Sequence, residues 1–176
     1  MAHSDLESDI LERLNNSPTA RGFFMASVEV FDESVDRLIQ RVFRKDDFAV
    51  KSVVEPLLDT SGPLGQLPVR LKLLFGLGVV SHDIYHDIEQ FIQLRDFLNT
   101  QGSEYEFTDP VILSSIKELK VIQKMGVVQL EIAPLTDDVD LQFYQMQMAR
   151  QQQVIKSSLA LSIATLCQEL DKDSPF

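Results

Sequence analysis

Apolar residues recur along this chain at steps of three and four almost from end to end, a spacing that predicts helices rather than strands. Leu6, Ile10, Leu11 and Leu14 make the first apolar face, with Ser4 and Glu7 at capping-box spacing ahead of it and Asn15-Asn16 suited to a stop. Ser17-Pro18 then places a cap and a first-turn proline before the most regular segment. There Phe24, Val28, Phe31, Val35, Leu38 and Val42 form one continuous stripe, with Arg37, Arg41 and Arg44 on a neighbouring face. Asp46 or Asp47 can cap a third helix through Ala49, Val50, Val53 and Val54, with Pro56 kinking or ending it and Ser61-Gly62-Pro63 stopping the chain. Pro68 restarts a leucine-rich helix expected to be buried on most sides, with Gly76 and Gly78 allowing close approach or ending it. Ser81 caps a helix through Ile84, Ile88, Phe91 and Phe97. Thr108-Asp109-Pro110 opens another through Ile112, Ile116, Leu119 and Ile122, closed by Gly126. Residues 127–133 alternate weakly, as a short strand or an extended loop would. Asp137, Asp138 and Asp140 precede a final helix of roughly 30 residues, whose stripe from Leu141 through Tyr144, Met148, Ile155 and Leu159 to Leu166 is expected to pack along the whole bundle. The pattern predicts an all-α protein, a single multi-helix bundle of about six or seven helices with a long C-terminal helix. Residues 1–176 read as one helical regulatory domain, without internal repeat or linker.

Composition narrows the setting. The 176 residues are 44% hydrophobic, which suits a folded core. No stretch approaches the roughly 20 apolar residues of a membrane span. The acidic N-terminus predicts no secretory signal, and the single cysteine, Cys167, gives no internal disulfide. A cytoplasmic protein is expected. The net charge of −11 opposes unaided binding to a polyanion.

Candidate chemistry is sparse. His82 and His86 have metal-ligand spacing with Asp83 and Asp87 in parallel, but no third ligand is apparent, and an exposed hydrophilic face is the favoured reading. Gly76-Leu77-Gly78 is no dinucleotide fingerprint, and helix packing explains it better. Cys167 lies among apolar neighbours, as a buried structural thiol would. A helix-turn-helix over Leu71 to Phe91 would put Asp83, Asp87 and Glu89 against phosphates and is rejected. Five basic residues (Arg37, Arg41, Arg44, Lys45 and Lys51) against two acidic ones give residues 37–51 a net of +3, and Lys117, Lys120 and Lys124 form a smaller stripe. Either set could contact DNA or an acidic protein; ordinary solvated faces and intrachain ion pairs are the favoured alternative.

Within residues 42–80 stand Arg44-Lys45-Asp46-Asp47, Val54-Glu55-Pro56-Leu57-Leu58, the Gly62-Pro63-Leu64-Gly65 turn and Val69-Arg70-Leu71-Lys72-Leu73, followed later by Glu104-Tyr105-Glu106-Phe107-Thr108-Asp109. In these pieces the chain resembles the mannitol operon repressor family of bacteria. The resemblance implies an all-helical negative regulator of mannitol uptake and utilisation genes, lacking a recognised DNA-binding motif. It supplies no catalytic residue, cofactor or defined ligand site. Pro56, Gly62, Pro63 and Gly65 look like architecture between two helices. Glu55 and Arg70 flank that turn, either as an internal ion pair, which is favoured, or as polar members of an interaction surface.

Three mechanisms follow. The first is a repressor acting by protein contact, as a co-repressor or with a partner from the sugar phosphotransferase system. The second is direct operator binding through Arg37, Arg41, Arg44 and Lys45 from a homodimer, with the long final helix as a seam. The third, least favoured, is a small metalloenzyme using His82 and His86.

Overall fold

A computed structural model describes residues 2–43, 48–125 and 140–172. Arg44, Lys45, Asp46 and Asp47, with the weakly alternating residues 127–133, lie outside the described residues. The described chain contains eight helices and no strand: α1 (Ala2–Asn15), α2 (Ala20–Val42), α3 (Phe48–Leu58), α4 (Leu67–Gly76), α5 (His82–Thr100), α6 (Pro110–Lys117), α7 (Lys120–Lys124) and α8 (Leu141–Asp171). The all-α expectation with a long last helix holds.

The centre is the packing of α2 against α5 and the second half of α8. The α2 stripe is buried from Phe24 to Leu38 and half-buried at Val42, and it is wider than the four-three repeat suggests, because Phe23, Val30 and Ile39 are buried with it. Aromatic rings fill the middle: Phe23 meets Phe107 edge-on at 5.2 Å, and Phe31 lies 5.2 Å from Phe91. Helix α1 closes one side against α8 and α2, while α4 packs on α2 and α5.

Several boundaries differ from expectation, each for a local reason. Helix α1 begins at Ala2, so Ser4 sits inside its first turn rather than capping it. The cap of α2 is Thr19, whose hydroxyl accepts from Gly22 N at 3.0 Å; Ser17 instead donates to Arg13 O at 3.3 Å. Helix α4 is buried on one side only, through Leu67, Arg70, Leu71 and Leu74, and Val69 and Phe75 face solvent. Nothing crowds Gly76 or Gly78, so close helix approach is not their role. Gly78 has φ 76°, with Val79 N bonded to Leu74 O and Gly78 N to Phe75 O, the pair of bonds that ends a helix on a left-handed residue.

The helix expected through residues 110–126 is two helices. Asp87, 1% exposed on α5, accepts from Lys120 N at 2.7 Å and Val121 N at 2.8 Å. Its carboxylate satisfies free amides at a new helix start, so the chain breaks at Leu119, which is extended. This break raises the helix count, and it separates Lys117 from Lys120 and Lys124.

The α8 stripe packs over half its length only. Ile155, Leu159, Ile163 and Leu166 are buried, whereas Leu141 is 60% exposed and no residue from 141 to 154 is buried. The first turns of α8 therefore lie outside the core, which the helix rejoins where Gln152 meets Phe107 and Thr108.

Candidate interaction surface

The segment from α3 to α4 is built around an arginine. Gly62 and Gly65 bring the connecting turn so close to the end of α3 that a Cβ at Gly62 would overlap the carbonyl oxygen of Pro56, and one at Gly65 that of Asp59. Leu64 N closes the turn on Leu57 O at 2.8 Å. Arg70, 9% exposed on α4, donates Nε to Leu64 O at 2.6 Å and Nη2 to Leu58 O at 2.7 Å; its Nη1 lies 3.3 Å from Asp36 Oδ1 on α2. One guanidinium thus joins the end of α3, the turn and the central helix, using the planar fork that lysine lacks.

Glu55 is not its partner. It lies on the solvent side of α3, 3.8 Å from Lys51, with both side chains half exposed. Arg70 needs acceptors for a buried guanidinium, and the turn carbonyls supply them at closer range. Such an exposed pair contributes little.

What the turn holds in place is a helix with a second apolar face. On α3, Val54 is buried and Leu58 packs against the core, while Ala49, Val53, Pro56 and Leu57, at i, i+4, i+7 and i+8, form one exposed stripe on the other side. Val53 is 66% exposed, and Phe48 is bare on the flank. Pro56 lies in the last turn of α3, where it cannot donate to Ser52 O, so the helix gives up one backbone bond shortly before it ends at Leu58.

The basic face splits up. Arg37 donates to Ser34 Oγ at 2.9 Å and lies 3.4 Å from Asp171; Arg41 donates to Leu170 O at 2.6 Å. Both guanidiniums therefore bind the C-terminal end of α8, where cations meet unpaired carbonyls and a largely buried carboxylate. Lys124 is 2.8 Å from Asp83, which holds that carboxyl below its usual range.

The His82–His86 face is not a uniformly hydrophilic one. His82 is exposed, but His86 is partly covered and lies 3.2 Å from the buried Asp87. No cluster of three or more metal-ligating side chains occurs among the described residues. Cys167 is buried against Ser34, and burial pushes its thiol up to about 11. Asp36 and Asp171, two of the acids that organise these contacts, are not singled out by spacing, and Asp87 stands out there only as a parallel to the histidine pair. Asp87 carries a readable signal, because it sits between Ile84, Ile88 and Phe91 on the inward face of α5.

These features define an all-helical fold among the described residues, in which Arg70 and the Gly62–Gly65 turn hold one apolar helix outward. The chain belongs to the mannitol repressor family, whose profile matches residues 6–171. It is 44% identical over 170 residues to the mannitol operon repressor of Escherichia coli K12, covering 97% of this chain and 85% of that one. It is also 27% identical over 167 residues to Fumarase E of E. coli K12, covering 93% and 96%. Among solved structures, it resembles that of the MtlR–HPr complex from E. coli, with a TM-score of 0.85, 43% identity and coverage of 94% and 98%. A possible transcriptional regulator, YggD from Shigella flexneri, superposes with a TM-score of 0.78 at 25% identity, covering 93% and 98%.

Proposed function

We propose that this protein represses mannitol uptake and utilisation genes in the bacterial cytoplasm through contact with HPr, a protein of the sugar phosphotransferase system, and has no catalytic activity of its own. The observation that carries the reading is the outward apolar stripe of α3, a helix tied down at one end by Arg70 and followed by the turn on which the resemblance to the family rests. Glu55 and Asp59 flank it on a chain of net charge −11, so the stripe suits a partner with an apolar patch and a basic rim. Direct operator binding is the weaker reading, because Arg37 and Arg41 are engaged with α8. Isothermal titration of the purified protein with HPr from the same organism tests the proposal. The double variant Val53→Asp, Leu57→Asp should weaken binding about tenfold or more. Absence of binding by the parent protein, or an unchanged affinity in the variant, would overturn it. The likeness to Fumarase E motivates one control: purified protein is expected to hydrate fumarate no faster than buffer, and measurable turnover would refute the non-catalytic part.

A further inference from the structure

A cavity of ≈ 390 Å³ opens between the start of α2, the loop over residues 101–109 and the middle of α8. Its volume lies in the range of roughly 300–1,000 Å³ typical of small-molecule sites. One wall is Glu104, Tyr105, Glu106 and Phe107, part of the second segment shared with the family; the facing wall is Gln152, Gln153 and Lys156 of α8.

The two walls are fixed to one another. Gln152 accepts from Phe107 N at 2.9 Å and donates to Thr108 Oγ1 at 2.6 Å and Glu106 Oε2 at 3.0 Å, so its amide is fully used as a clamp. Arg21 pins the loop from behind, donating to Gln101 O at 2.9 Å and Ser103 O at 3.2 Å, with Glu104 at 3.2 Å. Tyr105 rests against Phe97 at 5.6 Å. Lys156 donates to Asn15 O at 3.1 Å and Ser17 O at 2.8 Å, which leaves the third N–H of its ammonium for the cavity. A site whose walls are held this way has its ordering cost met by the fold.

The groups on those walls select a ligand chemistry. Two carboxylates offer lone pairs beyond those already engaged, the second N–H of the Gln153 amide (the first goes to Ser157 Oγ at 3.2 Å) and the Lys156 ammonium offer donors, and the Tyr105 ring offers an apolar face. Vicinal hydroxyls can donate to the first set and accept from the second, and a carbon backbone can lie on the ring. Glu104 and Glu106 are balanced by Lys156 and by Arg21 behind Glu104, so the walls carry no net positive charge to draw in an anion, and two carboxylates face it directly. We infer that this cavity binds a neutral polyol and rejects its phosphate ester and dicarboxylates. The cavity chemistry stands without the repressor reading; only the choice of mannitol as the probe rests on it.

Ligand-observed NMR and isothermal titration of the full chain with mannitol, mannitol 1-phosphate and fumarate test the inference. Saturable mannitol binding is expected, with the phosphate and fumarate at least about tenfold weaker. Glu106→Gln and Gln153→Leu should each weaken mannitol about tenfold, with unfolding curves recorded alongside to show that the fold is kept. No saturation with mannitol at tens of millimolar, equal binding of the charged ligands, or undiminished binding in both variants would overturn the inference. HPr binding measured on the same samples separates the two readings, since loss of polyol binding in Gln153→Leu leaves the α3 stripe intact.

Discussion

Replacing Asp87 by Asn is the sharpest test of how the helices between α5 and α8 are organised. In the folded protein one buried carboxylate receives two backbone amides, from Lys120 and Val121, with His86 Nδ1 at 3.2 Å from the same oxygen that Lys120 reaches. Hydrogen bonds to a charged group contribute about 1.5–3 kcal/mol each, and neutral ones about 1 kcal/mol. Asparagine keeps the shape but has a single acceptor oxygen, so one amide would face the NH2 group and the other would keep a neutral bond. The expected loss is about 3 kcal/mol, or roughly 6–12 °C in Tm for a chain of this size. Thermal unfolding followed by far-UV circular dichroism measures the loss, and hydrogen exchange at the Lys120 and Val121 amides locates it. A fall in Tm of less than about 2 °C, with both amides still protected, would refute the assignment of Asp87 as the residue that starts α7.

The glycines give a paired test by urea unfolding: Gly62→Ala forces a Cβ into backbone and should cost at least about 3 kcal/mol, whereas Gly78→Ala meets only the φ penalty of about 1–2 kcal/mol. Equal losses would contradict the close approach at the α3 turn. Arg70→Lys keeps the charge but cannot span Leu58 O, Leu64 O and Asp36, so about 2–3 kcal/mol should go, along with HPr affinity in a titration calorimeter. Cys167, buried and with its thiol raised to about 11, should resist alkylation at neutral pH until urea unfolds the chain; rapid labelling of native protein would show that the α2–α8 seam opens.

Helical periodicity carries most of the fold because burial repeats along each element. The α2 stripe and the Ser81 cap are local features and read correctly from local sequence. Contacts between elements leave no such trace. Nothing near Asp87 announces that amides from residues 120 and 121 will meet it, so the break at Leu119 is invisible to a pattern that runs smoothly from Ile112 to Ile122. Arg37 and Arg41 read as a basic face because their acceptors, Leu170 and Asp171, lie more than a hundred positions away. The stripe of α8 shows where apolar residues are, not where the core ends, which is why Leu141 reads as buried and is exposed. The family-shared turn was legible as architecture from its glycines and prolines, but the partner of Arg70 was not, since Glu55 and Asp36 are both acids within reach of a long side chain.

Asp36 and Arg37 are consecutive residues pointing about 100° apart around α2. The first holds, through Arg70, the turn that carries α3; the second holds the end of α8, the helix that walls the polyol cavity. One turn of the central helix is therefore the mechanical ground for both. Free energy is a state function, so any change that a ligand against α8 makes in the affinity of a partner at α3 is returned in full when the order of binding is reversed. Titrating either one in the presence of the other would measure that coupling free energy.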